Sequence, residues 1–160
     1  MLPYKHTIEP YLQTFQYKII NRLLNCNEKL FTWKVKSSNK CVYCECVDTI
    51  EHHLYYCKQS TLLWNKLLDW FSDNFDIHLK LTVCEVLFGI PNNTIDEIEI
   101  LNYCIILAKW YINKSRTSEK NLLFWDLLQL IIEKVKLQKQ INLNNAKDNL
   151  SWQNRLLEVL

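Results

Sequence analysis

Residues 92–116 read NNTIDEIEILNYCIILAKWYINKSR, and this stretch decides what kind of fold to expect. It has the marks of one long helix. Asn93 or Thr94 supplies a capping side chain, and Asp96, Glu97 and Glu99 stand in the first turns, where the helix dipole favours acids. Lys114 and Arg116 lie at the other end, where the dipole favours bases. Its apolar centre, YCIILAKWYI, is interrupted by Lys109 and is too short to span a bilayer. The rest of the chain suits the same reading. A single Gly and three Pro in 160 residues argue against a fold of many hairpins, which lean on Gly and Asn-Gly turns. Hydrophobic residues at 49% and charged ones at 22% are ordinary globular usage, so a packed core is expected. The length is that of one domain, or of one domain with an appended helical arm. The fold class expected is all-α.

Working outward, the periodicity predicts further helices. Ile8, Tyr11, Leu12, Phe15, Ile19, Ile20, Leu23 and Leu24 fall at amphipathic spacing, with Pro10 acceptable in the first turn. Asn27 is placed to cap a short second helix, EKLFTWKV, and KSSNK (36–40) reads as a loop. Leu62, Leu63, Leu67, Leu68 and Phe71, with Trp64 and Trp70, mark a helix to about Asn74. TVCEVLFGI (82–90) is a short helix ended by Gly89 and Pro91. NLLFWDLLQLIIEKVKLQKQINLNN (121–145) is the last long one. The expected organisation is residues 1–75 as N-terminal helices carrying a metal knuckle at about 40–57, residues 76–145 as a helical continuation packed on them, and residues 146–160 as a weakly structured or short helical tail. No 20- to 50-residue repeat is evident. The tryptophans and most leucines sit at helical spacing and are expected in the core.

One stretch does not read as helix throughout. CVYCECVDTIEHHLYYC, residues 41–57, holds four of seven cysteines and two of four histidines. No secretory signal precedes it in MLPYKHTIEP, so a reducing, intracellular compartment (nucleus or cytoplasm) is expected, where clustered Cys and His mean metal more often than disulfide. A tetrahedral zinc site takes four N or S ligands, commonly as two close pairs. Cys41 and Cys44 give C-x2-C within a small hairpin around 41–47, and His52 and Cys57 give H-x4-C at a helix start. That set closes the coordination shell and leaves no place for an activated water, so the zinc expected is one structural ion. Spacing also permits His53 in place of His52, and Cys46 in place of Cys44. A zinc hydrolase would need three ligands and an open position.

With these residues in hand, the sequence resembles the zinc-binding region C-terminal to the reverse transcriptase domain in non-LTR (LINE-type) retrotransposon proteins. The resemblance is carried by FQYKIINRLL, KLFTWKVKSSNKCVYC, TIEHHLYYC and LLWNKLLDW, and continues in LNYCIILAKWYINKSR and IIEKVKLQKQINLNN. It implies a CCHC zinc knuckle whose ligands fall on Cys41, Cys44, His52 and Cys57, the His of TIEH being His52. His53 takes a place usually apolar, and Cys46 has no family role. The polymerase's aromatic-x-Asp-Asp signature, a nuclease-like acidic cluster and a Gly-rich phosphate loop are all missing. The chain is therefore expected to be a non-catalytic piece, or separately encoded remnant, of such a reading frame, whose parent would be an RNA-directed DNA polymerase.

Two functions follow. In the first, the chain binds RNA or single-stranded DNA beside a reverse transcriptase domain of the same element. A net charge of +2 does not demand this, but the basic runs are local. Lys34, Lys36 and Lys40 precede the cysteines with no acid between them, and Arg22, Lys114, Arg116 and Lys120 extend the set for phosphate contact. Tyr43 or Tyr55 could stack on unpaired bases, or else pack. In the second, the chain is a zinc-stapled packing domain whose helices 62–71 and 122–132 leave an apolar face for a protein. Neither reading calls for a membrane or a small-molecule substrate.

Overall fold

The computed structural model describes Thr7 and residues 9–91, 96–145 and 151–160, with side chains excluded at 141–145 and 151. The helices are α1 (Pro10–Ile20), α2 (Asn27–Thr32), α3 (Lys58–Phe75), α4 (Val83–Phe88), α5 (Asp96–Thr117), α6 (Phe124–Asn145) and α7 (Ser151–Val159), with a π-turn at His52–Tyr56. No strand occurs among the described residues. The hairpin expected around 41–47 is one isolated antiparallel bridge, Lys40 to Val47. The all-α reading holds.

α5 organises the rest. Every residue from Ile100 to Lys109 is buried, and a helix covered on all sides belongs in the centre of a fold. α1, α3, α6, α7 and the π-turn all pack on it. α1 contributes Leu12, Phe15 and Ile19, while α3 contributes Leu63, Trp64, Leu67, Phe71 and Phe75. α6 adds Leu127, Ile131 and Val135, and α7 adds Trp152 and Leu156. Asp96, Glu97 and Glu99 occupy the first turn of α5 as expected, and Lys114 and Arg116 the last. The cap foreseen at Asn93 or Thr94 lies outside the described residues.

The helix ends follow local chemistry. α1 stops at a turn through Arg22, whose φ of 54° takes the chain out of the amphipathic pattern that ran on to Leu24. Asp76 in the left-handed conformation ends α3. α4 starts with a capping box between Thr82 and Glu85 and ends at Gly89, φ 85°, a value a side chain would resist. Lys109, the interruption in the apolar run, is fully buried. Its Nζ donates to Gln16 Oε1 at 2.5 Å and to the Leu87 carbonyl at 3.3 Å, tying α5 to α1 and α4.

Two expectations need correction. Asn27 does not cap α2, for Cys26 is the N-cap residue and makes no side-chain cap bond. The Asn27 backbone N–H donates instead to Asp48 Oδ2 at 2.6 Å, so a carboxylate from the cysteine loop does the capping. The tryptophans divide. Trp64 and Trp152 are buried, but Trp33 and Trp125 are 59% and 67% exposed, because helical spacing sets a face and does not guarantee that the face is covered. No helix among the described residues is long and apolar enough to cross a membrane.

Candidate metal centre

The loop between α2 and the π-turn is held before any ligand is placed. Asp48 accepts the Asn27 N–H, the Asn27 side-chain amide donates to the Lys40 carbonyl at 2.6 Å, and Cys41 N–H donates to the Cys46 carbonyl at 2.9 Å. Cys41 and Cys44 lie in the tight turn this closes. The Tyr43 N–H donates to Cys41 Sγ at 3.4 Å, the kind of charge-assisted contact that suits a thiolate. Thr49 then starts the second ligand pair, its hydroxyl accepting the His52 N–H at 3.0 Å. The threonine of TIEH thus fixes the first helical turn and with it the histidine.

The spacing of His52 and Cys57 has a geometric solution that the sequence only hinted at. In a regular α-helix, residues five apart differ by about 140° around the axis, which would point the two ligands away from each other. The chain forms a π-turn instead, closed by the Cys57 N–H on the His52 carbonyl at 2.7 Å. π-bulges recur at functional sites, and here the extra residue brings Cys57 round to the same side as His52.

Cys41 Sγ, Cys44 Sγ, a His52 ring nitrogen and Cys57 Sγ all lie within 4.8 Å of one another. Cys41 Sγ is 3.7 Å from Cys57 Sγ, and Cys44 Sγ is 3.3 Å from His52 Nε2. Two thiolates on one tetrahedral zinc, with Zn–S bonds near 2.3 Å, stand about 3.8 Å apart, so the donor set fits that ion. Three of the four groups are buried and Cys44 is half-buried. The Cys57 thiol, hydrogen-bonded to Cys41 Sγ, holds Cys41 down to about 4, and the same bond pushes Cys57 up. Burial pushes Cys44 up. Zinc binds thiolates, so loading the site releases thiol protons.

The spare ligands fall outside this group. Cys46 is exposed. His53 is turned into the core, 1% exposed, with both ring nitrogens lacking a hydrogen-bond partner. Burial first, and His52 second, hold His53 down to about 3, so it stays neutral. Its Nδ1 lies 3.9 Å from Asp48 Oδ1. Asp48 is the residue that spacing arguments missed. Fully buried, it pairs with Arg116 on α5 as well as capping α2, and the only signal was an acid lodged just before the Thr49 cap.

The basic residues divide in the same way. Lys34 (φ 59°), Lys36 and Lys40 are exposed on the loop leading into the metal turn. Lys40 pairs with Glu45 at 2.9 Å, and Arg22 pairs with Glu51 at 2.6 Å. Lys114 sits 4.7 Å from the centre of the Trp110 ring. Arg116 is buried against Asp48, so its guanidinium serves the fold. Lys120 is exposed and offers its carbonyl to the Tyr43 hydroxyl at 2.5 Å. Tyr55 donates to the Leu81 carbonyl at 2.7 Å. Both tyrosines are therefore tethered by their hydroxyls, which favours their packing role.

A closed Cys3His set on an all-helical scaffold defines a zinc-binding module, and the comparison with known families agrees. Residues 2–64 match the family described as zinc-binding in reverse transcriptase. The matched segment contains all four ligands and ends within α3. No curated protein and no solved structure matches the chain. Geometry and family match together give the chain one zinc site.

Proposed function

We propose that the chain is the zinc-binding accessory module of a non-LTR (LINE-type) retrotransposon reverse transcriptase, and that it binds RNA or single-stranded DNA without catalysing a reaction itself. Its zinc, held by Cys41, Cys44, His52 and Cys57 as a CCHC knuckle, is a structural staple, since four protein ligands leave no coordination position for substrate. The observation that carries the nucleic-acid reading is the loop 34–40. It is fixed at one end by α2 and at the other by the metal turn, and it projects Lys34 and Lys36 into solvent. Among the described residues neither ammonium has a carboxylate within 4 Å. Unpaired cations on an exposed loop suit phosphate contact. Lys40, Arg22, Lys114 and Lys120 extend that surface. The module would work inside the cell, in nucleus or cytoplasm, beside the polymerase domain of the same element.

A second reading has its own support. Phe31, Trp33 and Val35 are exposed on and just after α2, and Leu62, Leu123 and Trp125 are exposed on or beside the long helices. Apolar surface of this kind also suits a protein partner such as the polymerase thumb. Salt dependence separates the two. Affinity of the zinc-loaded chain for a fluorescent single-stranded RNA should fall steeply with salt, and Lys34/Lys36/Lys40→Ala should flatten the log–log slope by about 2. An absence of binding at low salt would leave the packing reading in its place.

A further inference from the structure

A cavity of about 710 Å³ opens between α1, the turn that follows it, α2 and the C-terminal turns of α5. We infer that this cavity receives one or two unpaired bases of a single-stranded RNA, with the flanking phosphates on Lys18 and Lys36. The inference rests on the nucleic-acid reading above and gives it a place, a strand state and a sugar.

The aromatic content comes first. Tyr11 and Trp110 both line the cavity and meet edge to face, with ring centroids 5.5 Å apart. Lys134 lies 4.9 Å from the centre of the Tyr11 ring and Lys114 4.7 Å from that of Trp110. The rings are thus held in place by each other and by two cations, yet Tyr11 remains 38% exposed. A fixed ring with free surface inside a cavity is what a base stacks on. Bases in a duplex have both faces covered by their neighbours, so only an unpaired strand can use such a site.

Charge fits the same occupant. Lys18 and Lys36 line the wall and Glu119 is its single acid. Among the described residues no carboxylate lies within 4 Å of either lysine. Lys36 also lines a shallower hollow with Phe31, Lys34 and Val35, so a strand leaving the cavity would continue over the basic loop. Asn25 and Asn113 stand in the wall, and their amides can meet the polar edge of a base with both donors and acceptors.

Two threonines select the sugar. Thr14 and Thr117 line the cavity, and each hydroxyl donates to a carbonyl of its own helix, Pro10 and Asn113, at 2.9 Å. Their oxygens are left as acceptors. RNA brings a 2′-hydroxyl donor that DNA lacks. The volume lies in the range of small-ligand sites, enough for a nucleoside or two and too small for a helix.

The test uses the full zinc-loaded chain and an eight-nucleotide RNA carrying 4-thiouridine. Photocrosslinks mapped by mass spectrometry should fall on peptides containing Tyr11 or Trp110. In fluorescence anisotropy, Trp110→Leu should weaken RNA binding about tenfold, given the usual worth of a stacked base, with zinc content and helical circular dichroism unchanged. Lys18→Ala, at an exposed site that leaves the core alone, should weaken it about threefold and flatten the salt slope. Crosslinks confined to residues 31–40, with both variants binding as wild type, would overturn the cavity while leaving the accessory-module reading intact. No RNA binding at low salt would overturn both. Equal affinity for DNA of the same sequence would overturn the choice of RNA. A Trp110→Leu chain that keeps RNA affinity but loses affinity for a reverse transcriptase domain would assign the cavity to protein.

Discussion

Asp48 and Arg116 form a buried ion pair between carboxylate Oδ2 and guanidinium Nη2 that ties the loop between the metal ligands to the last turn of α5. They are 68 residues apart in sequence, and the same carboxylate oxygen caps α2. The metal turn, the short helix before it and the central helix therefore share one anchoring group.

Removing one partner of a buried pair leaves the other charge uncompensated, at a cost of about 3–5 kcal/mol. Asp48→Ala should lose that much in urea unfolding of the zinc-loaded chain, because it also uncaps α2. Arg116→Met should lose somewhat less. The double variant should lie well short of the sum of the two, giving a coupling of about 2 kcal/mol in a double-mutant cycle. Additive losses would show that the pair is not an energetic unit.

Metal content discriminates among the six candidate ligands. Elemental analysis should give one zinc for wild type and for Cys46→Ser, and near zero for Cys44→Ser and His52→Ala. His53→Ala should retain zinc while losing about 1–3 kcal/mol of stability, since it leaves a hole in the core. A zinc-free His53→Ala chain with native circular dichroism would reassign the histidine ligand.

Stripping the metal with a chelator should lower the unfolding midpoint sharply, because structural zinc in small modules binds with on the order of 10 kcal/mol. Far-UV circular dichroism should fall far less. α5 and α6 bury their apolar residues against each other and α7, and that core contains no ligand. Heating apo and zinc-loaded chain side by side checks both halves of this expectation.

Lys109 sets a pH signature. Burial holds it down to about 7, against an ordinary 10.5. Between those values the unfolded chain carries a proton at this site that the folded chain does not, so stability should rise from pH 7 toward 10.5 and show no contribution to slope below 7. The gain should be about 3–4 kcal/mol between pH 7 and 10. Cysteines and tyrosines titrate in the same range, so the quantity to measure is the difference in urea midpoint between wild type and Lys109→Met across that window. A constant difference would mean that Lys109 is charged throughout.

Much of the architecture was legible because it depends on short-range rules. Gly89 ends α4, and the acids and bases of α5 lie at the ends the dipole favours. The ligand set was legible because metal coordination demands close pairs, and the pairs Cys41–Cys44 and His52–Cys57 are adjacent in sequence. What local patterns hide is burial by distant elements. Nothing near Arg116 marks it as the partner of Asp48, so it read as a surface cation. Asn27 read as a cap because Asn often is one, while the cap was supplied from 21 residues away. Trp33 and Trp125 sit at helical spacing like Trp64, and only the packing of other helices decides which face is covered.

The central position of α5 has a consequence for how the chain can be divided. The family match ends at residue 64, but Leu12, Phe15 and Leu54 belong to the same continuous core as Ile105, Ile106 and Ile112 on α5. A polypeptide cut at the end of the matched segment would keep every zinc ligand and lose the mandrel its helices wrap around. Leu12, Phe15 and Leu54 would then lose the helix they share a core with, so the knuckle and α5, which begins at Asp96, are expected to fold as one unit.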